Sequence, residues 1–264
     1  MHPSPDSDSF DLLTAIRYDH ALLLFPWNSA VNQGQPSPFL LLPYHFTRLE
    51  AAATLHGWRT PLSWSSFEHA CHRAVDSYNG PGKGGSLKLR LVLNRTGAIS
   101  ITPVPTNSLT GDPMLAAHIS PLTDCLSHSL GEPIILFLDV AATPPSSFTS
   151  TKTTHRSHYA EARTRLGLPD AGGSADVLLW NPKGMLMETS IRNFALFRRG
   201  LWVTPHESTG CLHGVTRRWL LEQSLVKNDD QALLHKDNLK NGELVLTFNA
   251  VEGCRIAVAR IRKP

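Results

Sequence analysis

The chain has 264 residues, 41% of them hydrophobic and 18% charged, with a formal net charge of +3. That length carries one large domain or two modest ones, each with its own core, and that balance excludes a disordered chain. The charge is too mild, and too free of long Lys/Arg clusters, for a nucleic-acid binder, whereas a small anionic ligand suits it.

Residues 1 to about 9 read as a loose tail containing acids and prolines rather than a basic, apolar leader, and no run approaches about 18 apolar residues. A soluble, cytoplasmic protein with no membrane partner is expected. Ala21–Phe25 and Phe39–Leu42 look like strands, and helices are predicted over Arg48–His56, ending near Gly57, and over Ser66–Tyr78. The glycine-rich run Asn79–Ser86 invites a phosphate-loop reading. Its spacing fails, because Ser77 stands where the first glycine belongs and Gly84 follows Lys83 in place of Ser or Thr, so it reads as a connector.

Leu87–Leu93 alternates apolar and basic residues, and with Ala98–Pro103 it predicts a hairpin. Ile134–Val140 is a further strand. The Pro- and Ser-rich residues 141–150 suit a linker, and a helix is predicted over Tyr159–Leu166. Strands Ala175–Trp180 and Met185–Glu188 flank the turn Asn181-Pro182-Lys183-Gly184. Phe194–Phe197 and Leu201–Thr204 form a second hairpin, which Pro205 ends because it lacks the ladder donor. Gly214-Val215-Thr216 opens a helix, whose free N–H groups make an anion site. Glu243–Phe248 and Arg255–Ile261 close the chain as a hairpin. The expected architecture is α+β in two domains, a small one over residues 1–140 and a larger one over 151–264, joined by the linker.

Cys71, Cys125, Cys211 and Cys254 lie far apart with no C-x-x-C pair, so reduced structural thiols are expected. His69 and His72 lack a third ligand in spacing, and no metal site is expected.

The run Glu188-Thr189-Ser190-Ile191-Arg192-Asn193, followed by Val203-Thr204-Pro205 and Gly214-Val215-Thr216-Arg217, resembles the signature of class IV aminotransferases, the pyridoxal-phosphate (PLP) enzymes of fold type IV. Upstream, Tyr44-His45-Phe46-Thr47-Arg48-Leu49 is similar to the family's small-domain motif, and Lys152-Thr153-Thr154-His155-Arg156, with Tyr159, Ala162 and Arg163, to its catalytic-lysine segment. The wording is nearest to fungal 4-amino-4-deoxychorismate lyase-like members.

The resemblance implies a two-domain fold type IV enzyme with PLP between the domains, and a homodimer. It also implies that Lys152 holds the cofactor covalently and shuttles protons, and that Glu188 pairs with the pyridine nitrogen. Arg48 with the Val215-Thr216 helix start would bind the phosphate, and Thr247, Asn249 and Ala250 match a final phosphate-side turn less closely. Arg156 stands where lyase-type members resemble Lys-x-x-Asn-Arg, with His155 replacing the asparagine. Arg17, Arg90, Arg156 and Arg192 are the candidates for substrate carboxylates. The implied reaction converts 4-amino-4-deoxychorismate to 4-aminobenzoate and pyruvate, the alternative being a transaminase of branched-chain or D-amino acids or (R)-amines.

Overall fold

A computed structural model describes residues 9–59, 62–121, 132–169 and 173–261. A three-stranded antiparallel sheet comes first, in the order β1 (Leu12–Tyr18), β2 (Leu87–Leu93) and β3 (Ile99–Pro105). Its β2 alternates strictly: Leu87, Leu89, Leu91 and Leu93 are buried, while Lys88 and Arg90 point the other way. The leucines meet Leu49, Ala52 and Ala53 of α2 (Leu42–Leu55) and Phe67 and Cys71 of α3 (Trp64–Asp76). Truncating a fully buried phenylalanine such as Phe67 to alanine costs about 3–5 kcal/mol in cores of this kind.

The two strands expected over 21–25 and 39–42 do not form, for a local reason. Asp19 accepts from the Ala21 amide at 3.0 Å and caps a 3-10 turn over His20–Leu24, which runs into the short helix α1 (Pro26–Val31). The Asn28 amide group donates to the carbonyls of Ser37 and Phe39, and its oxygen accepts from the Leu41 amide. One side chain thereby satisfies backbone that a sheet neighbour would otherwise serve. A single bridge, Tyr18 to Phe39, is what remains of the pairing.

An eight-stranded mixed sheet makes the second layer. Its strands are β4 (Ile134–Leu138), β5 (Ala175–Trp180), β6 (Leu186–Thr189), β7 (Asn193–Arg198), β8 (Leu201–Thr204), β9 (Lys227–Asn228), β10 (Leu244–Asn249) and β11 (Gly253–Arg260), in the spatial order β6-β5-β4-β11-β10-β7-β8-β9. Here β4 runs parallel to both β5 and β11, so it belongs to this sheet. The expected boundary at residue 140 left that strand with the small domain; sheet membership instead changes between Pro105 and Ile134. Its apolar run Ile134-Ile135-Leu136 fits a central strand covered on both faces.

The Pro/Ser-rich segment ends in one helical turn, α4 (Ser147–Ser150), fixed by a capping box between Ser146 and Thr149. The chain then runs beside β1 through a bridge from Thr153 to Leu12, and α5 (Ser157–Arg165) and α6 (Val215–Glu222) follow on the larger sheet. Cys71, Cys211 and Cys254 are buried and free, and Cys125 lies outside the described residues. No helix among the described residues is long and apolar enough to cross a membrane.

Candidate active site

A cavity of about 410 Å³ opens between the two sheets, walled by residues from β1, β2, α2, the Lys152 segment, the start of α6 and the turn after β10. Lys152 is fixed there by its backbone: its carbonyl accepts from the Leu13 amide at 2.8 Å, and the Thr154 amide donates to the Asp11 carbonyl at 2.9 Å. The side chain is free to enter the cavity. Burial first, then the Arg156 and Arg48 guanidiniums, bring its amine down to about 7. Near neutral pH a large share of it is therefore uncharged and nucleophilic.

Glu188 lies behind that wall, buried on β6. Its Oε1 accepts the Tyr159 hydroxyl at 2.8 Å, and the Leu212 amide also donates to it. Burial outweighs these donors and the Lys152 charge, and pushes the carboxyl up to about 8. A buried acid so placed gains from a nitrogen base or cation beside it.

The far end of the cavity is an anion cradle. The Arg48 Nη2 donates to Thr14 Oγ1 at 2.5 Å, and Thr14 is 2.6 Å from Nδ1 of the fully buried His45. Burial, followed by the Arg48 charge, holds His45 well below the usual histidine range, so it is neutral beside Thr14. Arg48 Nε and Thr216 Oγ1 are both buried without a partner among the described residues. Gly214 precedes α6 and offers no side-chain cap, which leaves the first-turn amides of the helix without one. Two orphaned donors and a helix start at one place suit a phosphate.

The other expected site residues divide. Val215, Asn249 and Ala250 line the cavity, but Thr247 does not: it is fully buried and donates to the Arg255 carbonyl at 3.0 Å. Arg156 lines the cavity, bonds the Ser190 carbonyl at 2.7 Å and lies over the Tyr159 ring. Arg192 also lines it, yet its guanidinium is held by Asp176 at 3.2 Å and Glu252 at 2.5 Å, so a substrate carboxylate would have to displace an acid already present. Arg17 is outside, tied to Asp19 and the carbonyls of Val251 and Asn107. Arg90 is exposed on β2 and is not part of the wall. His155 packs against Phe148, with ring centroids 4.4 Å apart.

Sequence reasoning gave no role to Thr14, Lys88 or Asp176. Asp176 anchors the floor: it takes Arg163 at 3.0 Å and Arg192 at 3.2 Å, with Thr189 and Ser190 hydroxyls at 2.7 and 2.5 Å. The available signal was Asp176 itself, an acid inside an apolar strand that can be buried only with partners.

The amino-transferase class IV family model matches residues 29–259. The chain belongs to the class IV aminotransferase family. This class IV member is 32% identical over 212 residues to the Schizosaccharomyces pombe protein named "Putative aminodeoxychorismate lyase", covering 80% of each chain. It is also 32% identical to the Saccharomyces cerevisiae "Aminodeoxychorismate lyase" over 63% of its own length, which spans half of that relative. Among solved structures, the "Putative amino-acid aminotransferase" of Mesorhizobium loti superposes with a TM-score of 0.67 at 22% identity, over 96% of this chain and 100% of that one. The last likeness is one of fold, and it gives the expected α+β, fold type IV architecture.

Proposed function

We propose that the cavity binds PLP and that the enzyme converts 4-amino-4-deoxychorismate to 4-aminobenzoate and pyruvate. The observation that carries the cofactor reading is the donor set itself: unpartnered Arg48 Nε and Thr216 Oγ1 at one end, an amine at about 7 in the middle, and a buried acid behind. Arg48, Thr216 and the α6 start would take the phosphate, Glu188 would face the ring nitrogen, and Lys152 would hold the aldehyde carbon covalently. When bound, PLP supplies an electron sink for a carbanion on the carbon bearing the substrate amine.

Lys152, with its amine free, would be the base that removes the proton from that ring carbon. The bond from the neighbouring carbon to the enolpyruvyl oxygen then breaks, its electrons leaving on oxygen, and the ring becomes aromatic. Lys152 returns the proton to the departing methylene carbon, giving pyruvate. Glu188, whose carboxyl burial raises to about 8, would stand at the ring nitrogen and hold a proton or a negative charge there. Choice of the lyase over a transaminase is supported by the names of the two fungal relatives. We infer a homodimer, as the resemblance implies, and a cytoplasmic location. Light scattering of the holoenzyme at micromolar concentration should give twice the 29.1 kDa chain mass, and a fully active monomer would refute that.

The test of the lyase reading is incubation with 4-amino-4-deoxychorismate alone, with both products measured. Continued product formation without any keto acid supports it. A requirement for an added keto acid would favour the transaminase.

A further inference from the structure

Among the described residues, five cationic side chains line the cavity, and three of them are already committed. Arg48 ends in the phosphate cradle, Lys152 holds the reacting centre, and Arg192 is neutralised by Asp176 and Glu252. Arg156 spends one bond on the Ser190 carbonyl and keeps further donors. That leaves Lys88.

Lys88 is half-buried on the cavity wall and has no hydrogen-bond or ion-pair partner among the described residues. Register explains why. Its cross-strand neighbours are Arg17 on β1 and Val104 on β3, so neither side of the strand offers it an acceptor. Arg17 has taken Asp19, the acid that follows β1, for itself. Lys88 and Lys152 line the same cavity, and the Lys88 charge adds to those that lower the Lys152 amine. A cation kept half out of water with no counter-ion is costly unless a ligand supplies one.

We propose that Lys88, with Arg156, is the recognition pair for a dicarboxylate substrate, each cation receiving one carboxylate. This rests on the lyase reading for its substrate: 4-amino-4-deoxychorismate carries one carboxylate on its ring and one on the enolpyruvyl group, whereas a simple amino acid brings one and an amine none. Two spare cations therefore match the substrate's charge and select against singly charged competitors. Lys88 acts on binding, not on the proton transfers.

The holoenzyme tests it with two readouts. The first is steady-state turnover of 4-amino-4-deoxychorismate by wild type, Lys88→Met and Lys88→Arg. The second is the equilibrium affinity of chorismate, which keeps both carboxylates but has a hydroxyl in place of the amine and so cannot condense with an aldehyde. Loss of one charge-assisted contact predicts a KM and a chorismate Kd raised about 10- to 100-fold in Lys88→Met, with kcat changed far less. The bound-PLP spectrum should stay intact, and Lys88→Arg should recover most of the affinity. Wild-type turnover with an unchanged KM and Kd in Lys88→Met would overturn the pair while leaving the lyase reading standing. Chorismate binding that depends on Lys88 without any turnover would reject the lyase and keep the dicarboxylate site. Neither binding nor turnover by wild type would reject both.

Discussion

Tyr159 gives its hydroxyl proton to Glu188 Oε1 at 2.8 Å, in a place where both residues are buried. The bond is the strongest local influence opposing the upward push of burial on the Glu188 carboxyl, and α5 is the element that delivers it. Tyr159→Phe should therefore drive Glu188 further above about 8, read by infrared titration of the cofactor-free protein. Turnover should fall by roughly 10-fold, the worth of one hydrogen bond to a charged group. An unmoved carboxyl titration would show that the tyrosine is only packing.

Glu188 and Lys152 give the cofactor-free protein opposite stability trends. A carboxyl raised from 4.5 to about 8 contributes stability that is full below 4.5 and lost as pH climbs through 8. An amine lowered from 10.5 to about 7 opposes folding below 7, and that opposition is relieved as pH rises from 7 towards 10.5. Thermal melts of Glu188→Gln against wild type should show the variant gaining relative stability from pH 5 to pH 8. A difference that does not vary with pH would contradict the raised carboxyl. With PLP bound, the same variant should keep the cofactor but turn over slower by orders of magnitude, because the ring nitrogen loses its acid.

Lys152→Ala should abolish covalent attachment and its visible absorbance without lowering the melting temperature. The backbone bonds that fix the segment do not involve the side chain, and a partly desolvated amine is no asset to folding. In wild type, the rate of PLP attachment should rise about tenfold per pH unit below 7 and level off above it, following the neutral amine. Borohydride reduction and peptide mapping that placed the cofactor on Lys83 or Lys88 would refute the assignment.

The phosphate cradle is tested by geometry as well as charge. A Cβ on Gly214 would lie 1.9 Å from Asn193 Oδ1, and Asn193 in turn holds the Leu212 carbonyl at 2.9 Å. Gly214→Ala should thus displace the start of α6 and weaken PLP binding, as should Arg48→Ala, which removes the buried guanidinium. Equilibrium dialysis should give losses of about 10- to 100-fold for Arg48→Ala. Thr14→Val should lose less, since it only steadies Arg48.

Much of this was legible in the chain. The alternation in Leu87–Leu93 and the apolar run Ala175–Trp180 both fold over the residues their patterns indicate, because each buries a face that only a strand can present. Lys152, Arg48, Val215 and Thr216 were found as members of short local motifs, and the structure brings them to one cavity. What escaped depends on partners distant in sequence. Thr14 meets Arg48 across 34 residues, Glu188 meets Tyr159 across 29, and the isolation of Lys88 follows from which residues stand opposite it on β1 and β3. The misread strand at 39–42 has a more local origin, the Asn28 side chain, which bonds the Phe39 carbonyl and the Leu41 amide. Arg192 and Arg17 looked like free arginines for want of any view of Asp176, Glu252 and Asp19 beside them.

The central claim is a lyase that needs no amino acceptor. It is tested most directly by supplying the PLP-loaded enzyme with 4-amino-4-deoxychorismate as sole substrate and counting turnovers per active site. The account predicts 4-aminobenzoate and pyruvate in equal amounts over many turnovers, lost in Lys152→Ala. Absence of 4-aminobenzoate, with amino-group transfer from an amino acid to a keto acid by the same preparation, would contradict it.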